Sequence, residues 1–242
     1  MRFPGIIPAI TTPFGPTGAI DTGALERNLA ALLDAGVHGL VATGTMGEAG
    51  SLTRDERAAV VASVVDAAAG RAPVVAGVSA GTPGDAAAFA RDAAAAGATA
   101  LMLLPPLGYR GDAREVIAHY AAVAAATDLP LMAYNNPEAS GTDMPASLVA
   151  RLAAEVDAVV AVKECSGAAA RMAGMRRRAS RCSSAATTGR WRGCAPARPG
   201  GCRAWPAWRR TRASSCSRPA ATATCRAPAR STRACSRWPG ST

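Results

Sequence analysis

The chain has 242 residues, 49% of them hydrophobic, and a formal net charge of +10, a length that suits one large α/β domain. The charge is unevenly held: residues 1–175 carry all 17 Asp and Glu and a net charge of −6, whereas residues 176–242 carry 16 Arg and no acid. No apolar stretch approaches membrane-spanning length and the N-terminus lacks a charged-then-apolar signal pattern, which argues against a membrane or secreted protein and predicts a cytoplasmic one.

Residues 1–167 repeat one pattern, a short apolar run followed by an Ala-rich amphipathic stretch. The apolar runs are 5–12, 37–43, 73–78, 98–104, 129–134 and 158–163. Each is bounded by Gly or Pro and apolar on both faces, as parallel strands covered by helices are. Helices are predicted between them over 22–35, 53–69, 85–96, 114–126 and 145–155. The second opens with Thr53-Arg54-Asp55-Glu56, a capping-box spacing, and the first three each stop at a glycine, Gly36, Gly70 and Gly97. Such right-handed βα units build either a doubly wound sheet or a (β/α)8 barrel. No GxGxxG follows the first run, which weakens a nucleotide-binding reading. Polar residues instead gather at the C-terminal ends of several runs: Thr11-Thr12, Thr43-Gly44-Thr45, Tyr134-Asn135-Asn136 and Lys163-Glu164. A barrel active site has that distribution. The fold class expected is therefore α/β, a (β/α)8 TIM barrel present through about six βα units, with residues 1–175 as the domain.

Three of those ends carry candidate chemistry. Lys163 is the sole lysine, the other 26 basic side chains being arginine. Arginine does not lose its proton, whereas a desolvated lysine becomes a neutral amine nucleophile. The alternative is a strand-end lysine that snorkels to water. Gly44-Thr45-Met46-Gly47-Glu48 places small residues and a hydroxyl where backbone N–H groups can approach a carboxylate, although such a turn can equally be only a turn. Tyr134 ends a strand one over from Lys163, where its phenol could exchange protons with a forming imine or simply find a backbone acceptor in the core. His38 and His119 have no paired ligand and are read as structural, and Met102 and Met132 as core. No metal site is expected. The tail cysteines lie far apart without a CxxC pair, which predicts neither zinc nor a disulfide framework.

The GTMGE, YNNP and KECSG motifs, with the opening Gly5-Ile6-Ile7-Pro8-Ala9-Ile10-Thr11-Thr12-Pro13-Phe14, resemble the dihydrodipicolinate synthase / N-acetylneuraminate lyase family in order and spacing over about residues 3–175. The resemblance implies that Lys163 forms a Schiff base with a 2-keto acid, typically pyruvate. It implies that Tyr134 is the general acid/base and Thr45 its proton relay, and that Gly44, Thr45 and Met46 bind the substrate carboxylate. The covalent imine with Lys163 would replace any cofactor, and a homo-oligomer is implied. The second substrate would be an aldehyde or a sugar acid. Three positions depart from the synthase pattern. Ala139 stands where the synthase has an arginine for its aldehyde's carboxylate. Leu107, with Tyr109 nearby, stands where it has a relay tyrosine. Met46 replaces a second Thr or Ser. These departures suggest a relative other than dihydrodipicolinate synthase itself, either an aldolase or a keto sugar acid dehydratase.

The resemblance stops near Met175. Residues 176–242 contain no Leu, Ile, Val, Met or Phe, but all four Trp and six of the seven Cys. So little aliphatic surface predicts a largely disordered segment. Its arginines could hold nucleic acid nonspecifically, and a truncated product with a polyanion-binding tail is the alternative to an enzyme. GC-rich coding text read out of frame has this composition. Shifted by one base, residues 181–189 can spell Leu-Leu-Val-Gly-Gly-Asp-Asp-Trp, and later stretches can spell an eighth strand and an amphipathic helix. The expectation is a frameshift near the codon for Met175. It would leave the strands at 5–12 and 158–163 each with an open edge, a liability for solubility.

Overall fold

The computed structural model describes residue 3, residues 5–167, residue 171 and residues 183–186, all within the unit Met1–Arg192. Six strands form one sheet: β1 (Leu40–Ala42), β2 (Val74–Gly77), β3 (Ala100–Leu103), β4 (Leu131–Asn135), β5 (Val159–Glu164) and β6 (Ser183–Ala186). They lie in sequential order and every pairing is parallel. A doubly wound sheet would reverse its strand order at a switch point; unbroken sequential order is that of a (β/α)8 barrel. The helices are α1 (Thr22–Asp34), α2 (Arg54–Ala68), α3 (Pro83–Ala95), α4 (Ala113–Ala124), α5 (Pro137–Ser140) and α6 (Ala146–Glu155). Among the described residues no helix is long and apolar enough to cross a membrane.

Local chemistry explains the helix starts. Thr53 and Asp112 each close a capping box, with Glu56 and Glu115 returning to the cap N–H. Asp21 and Thr82 cap α1 and α3, and Pro83 opens α3 where a missing N–H costs nothing. Strand residues alternate between two cores. Outward side chains such as Leu40, Val74, Leu101, Leu131 and Val159 meet the helices in the larger core. Inward ones, Val41, Val75, Met102, Met132 and Ala161, form a smaller inner cluster with Tyr134. That two-layer arrangement makes the strands apolar on both faces. Met102 and Met132 are core, as expected.

The structure differs from the sequence expectation in four places. Residues 5–12 do not form a regular strand. They run beside β1 with a single parallel bridge, Ala9 to Val41. Pro8 has no N–H to give, and the N–H of Ile6 is taken by the Nδ1 of His38 at 3.1 Å rather than by a neighbouring strand. The short helix α5 was missed. Ser183–Ala186, inside the segment expected to be disordered, is a strand; the rest of 176–242 lies outside the described residues. Finally, the outer edge of β5 is not open, because β6 pairs with it from Ala161 to Glu164.

Candidate active site

The C-terminal ends of β1, β4 and β5 carry the candidate residues. Tyr134 and Lys163 are register partners on adjacent strands. This pairing depends on an irregularity between Leu131 and Met132: Leu131 is opposite Val159, but Met132 is opposite Ala161. The extra residue is Val160; without it, strict alternation from the outward Val159 would set Val162 opposite Tyr134 and turn Lys163 toward the helices. The bulge therefore puts both side chains on the inner face of the same row. Lys163 Nζ sits 4.2 Å from the centroid of the Tyr134 ring. Both residues are buried, Lys163 at 8% exposure and Tyr134 at 5%.

Their surroundings set the protonation states. Burial lowers Lys163 below the ordinary lysine range, with only a partial opposing push from Cys165. A desolvated ammonium loses the water that stabilises its charge, so the free amine becomes accessible. Burial raises the Tyr134 phenol, which keeps it a proton donor. Asn136, donating through Nδ2 to the phenol oxygen at 2.9 Å, pulls the other way, as does the Thr45 hydroxyl, while Cys165 adds to the rise. The Asn136 amide is fixed in this sense because its Oδ1 accepts from the Ala139 N–H at the start of α5.

A buried amide locks the two strand ends together. Asn135 is fully buried and donates to both carboxylate oxygens of Glu164, at 3.2 and 2.9 Å, and to Asp143 at 3.1 Å. Its Oδ1 accepts from the Met144 N–H. Glu164 also accepts from the Ser166 N–H at 2.6 Å, and the Cys165 N–H donates to the Asn135 carbonyl. Because side chains alternate along a strand, Asn135 and Glu164 hold the outer face while Tyr134 and Lys163 meet on the inner one.

Gly44 is buried, and Thr45 and Met46 are exposed, Met46 at 63%. Thr45–Gly47 is a 3-10 turn that bonds the N–H groups of Gly47 and Glu48 to the carbonyls of Gly44 and Thr45. The first N–H groups of such a turn, here those of Thr45 and Met46, receive no acceptor from the turn itself. Thr43 enters it at φ 49°, in the left-handed region, and is anchored by its hydroxyl donating to the Gly77 carbonyl at 3.0 Å. A Cβ on Gly77 would lie 2.3 Å from the Thr43 carbonyl oxygen, so only glycine allows β2 this close. On the other side, Thr12 donates to the Gly47 carbonyl at 2.8 Å.

The five residues singled out in the sequence thus stand at the C-terminal ends of β1, β4 and β5; Lys163 meets the Tyr134 ring on the adjacent strand, and the Thr45 hydroxyl acts on the Tyr134 phenol. Asn136 and Cys165 also act on that phenol and went unassigned. For Asn136 a signal existed, since Asn before Pro after a strand is a helix cap; for Cys165 there was none. His119 is buried, its ring edge-on to that of Tyr120 with centroids 6.0 Å apart.

The chain matches the model of the dihydrodipicolinate synthetase family over residues 2–184. It is 39% identical over 165 residues to the 4-hydroxy-tetrahydrodipicolinate synthase of Methanothrix thermoacetophila, covering 68% of this chain and 55% of that one. It is 38% identical over 172 residues to the synthase of Methylococcus capsulatus, covering 71% and 59%. Among solved structures, dihydrodipicolinate synthase from Aquifex aeolicus superposes with a TM-score of 0.73 at 29% identity, covering 76% of this chain and 63% of that one. A prophage protein of the dihydrodipicolinic acid synthase family from E. coli K12, in complex with pyruvate, superposes with a TM-score of 0.73 at 26% identity, over 76% and 63%. The chain thus spans between half and two thirds of the length of these relatives. With the motifs, the sequential parallel sheet and the family match in agreement, this chain belongs to the dihydrodipicolinate synthetase family.

Proposed function

We propose that this chain carries the site of a Schiff-base lyase for pyruvate or a related 2-keto acid. The observation that carries the reading is a buried, desolvated Lys163 amine beside the Tyr134 phenol on one row of the inner sheet face. The amine attacks the C2 carbonyl of the keto acid. Tyr134 gives its proton to the carbinolamine hydroxyl, which leaves as water, and an iminium remains. That iminium is an electron sink: it accepts the electron pair when a C3 proton passes to the phenolate, giving an enamine. The enamine carbon then bonds to an aldehyde, and the reverse sequence cleaves the bond. Thr45 relays protons to and from Tyr134, and the N–H groups of Thr45 and Met46, on the turn entered through Gly44, hold the carboxylate. The imine is made from the substrate itself, so no cofactor is required.

The second substrate is proposed to differ from that of dihydrodipicolinate synthase. Ala139 lies in α5, immediately beyond β4, and offers no cation for an aldehyde carboxylate. A keto sugar acid, cleaved or dehydrated, fits that position as well as an uncharged aldehyde does. The working form is proposed to be a homo-oligomer. Residues beyond Met175 are proposed to be read out of frame; their arginines would otherwise give a tail that holds polyanions nonspecifically.

The test is exchange of the pyruvate methyl protons in deuterated water, followed by proton NMR. Enzyme-dependent loss of the methyl signal, absent in Lys163→Arg, supports the reading, and no exchange above the buffer rate overturns it. Product analysis with a panel of aldehydes and keto sugar acids then separates aldolase from dehydratase.

A further inference from the structure

Arg57, on the inner side of α2, is the candidate. Its guanidinium stacks over the Phe89 ring at 4.2 Å and donates through Nη2 to the Ala49 carbonyl at 2.6 Å and through Nη1 to the Ser79 carbonyl at 3.3 Å. Its Nε is buried without a partner, and among the described residues no carboxylate pairs with it. Burial lowers its affinity for a proton, yet arginine stays charged. A cation so placed is costly unless it supports something.

What it supports is the segment between β1 and α2. Arg57 holds the Ala49 carbonyl, and the Ala49 N–H donates to the Gly44 carbonyl at 3.3 Å, as does the Gly47 N–H at 3.0 Å. The Gly44 carbonyl shares its peptide unit with the Thr45 N–H, so two bonds to the oxygen polarise that N–H as a donor. The second anchor, Ser79, lies just past β2, and its hydroxyl accepts from the Leu104 N–H just past β3 at 2.9 Å. One guanidinium therefore ties the ends of three strands to the segment bearing Thr45 and Met46.

We infer that Arg57 is a positioning residue for the keto acid carboxylate: it fixes the substrate-facing segment and supplies a half-buried positive charge behind it. This rests on the Schiff-base reading above. An uncharged ligand gains little from it, so Arg57 selects the anionic keto acid over its neutral analogues.

The test is borohydride trapping at Lys163 in the full chain as a function of ligand concentration, with pyruvate and with pyruvamide. Arg57→Met should raise the pyruvate concentration for half-maximal trapping roughly tenfold, change the rate at saturation less than threefold, and leave the pyruvamide curve in place. Should Arg57→Met lack a cooperative melt, Arg57→Lys serves instead, since an ammonium does not reach two carbonyls while stacked on Phe89. Equal shifts for both ligands, or a lowered melting temperature with unmoved curves, overturn the inference. Absence of any adduct in the unmodified protein overturns the Schiff-base reading and this inference with it, whereas adducts with coincident curves overturn this inference alone.

Discussion

At the scale of single residues, the pair Lys163 and Tyr134 decides what the molecule can do. Desolvation of Lys163 means its amine is populated at lower pH than that of an exposed lysine. The trapping rate with pyruvate should accordingly rise with pH and level off below the ordinary lysine range; a rise following that of a free lysine would contradict the burial argument. Tyr134→Phe removes the proton donor while keeping the ring beneath Nζ, and should slow imine formation by about 10²–10⁴-fold, with the melting temperature little changed. Lys163 was legible in the sequence because it is the sole lysine, at the end of an apolar run. Tyr134 was legible from its matching place one strand over. The roles of Asn136 and Cys165 were not, because they depend on where side chains point rather than on pattern.

Elements place these residues, and here a glycine and a histidine carry the most. Gly77→Ala would drive a methyl group into the Thr43 backbone, which has no flexible end to move aside. The expected cost is about 1–3 kcal/mol with weakened trapping, and an unchanged thermal melt would refute it. Thr53→Ala, by contrast, removes a capping box whose bonds run only between Thr53 and Glu56 and should cost about 1 kcal/mol while leaving the rate of trapping at saturating pyruvate unmoved. His119 in α4 is held neutral by burial, its pKa lowered from 6.5 to about 4. As pH falls the unfolded chain binds this proton first, so stability is lost progressively between those two values. The fall in melting temperature from pH 7 to pH 5 should be smaller in His119→Phe than in the unmodified protein; equal falls would exclude His119 as the cause. The start of α2 was readable from its capping box, whereas α3 begins two residues before the expected 85, behind its Thr82 cap, and apolar runs located five strands. The bulge at Leu131 and Met132 was not readable, because a run apolar on both faces does not reveal which residue is skipped. The first run failed for a similar reason, since only the fold brings the His38 ring to the Ile6 N–H.

For the whole molecule, the informative boundary is compositional. From β1 through Lys163 the sequence agrees with a barrel in its caps and its layered cores, and such agreement marks a sequence selected to fold. After Met175 the aliphatic residues vanish, yet Ser183–Ala186 still adds a strand beside β5. The out-of-frame proposal predicts that the nucleotide sequence near the codon for Met175 differs by one base from the one giving this text; a clean read in the present frame would sink it. The central claim, that Lys163 is a Schiff-base nucleophile, is tested most directly by incubating the protein with pyruvate and borohydride and mapping the added mass by peptide. The account predicts a reduced pyruvyl adduct on the peptide containing Lys163, lost in Lys163→Arg. An unmodified Lys163 at saturating pyruvate, in protein that melts cooperatively, would contradict it.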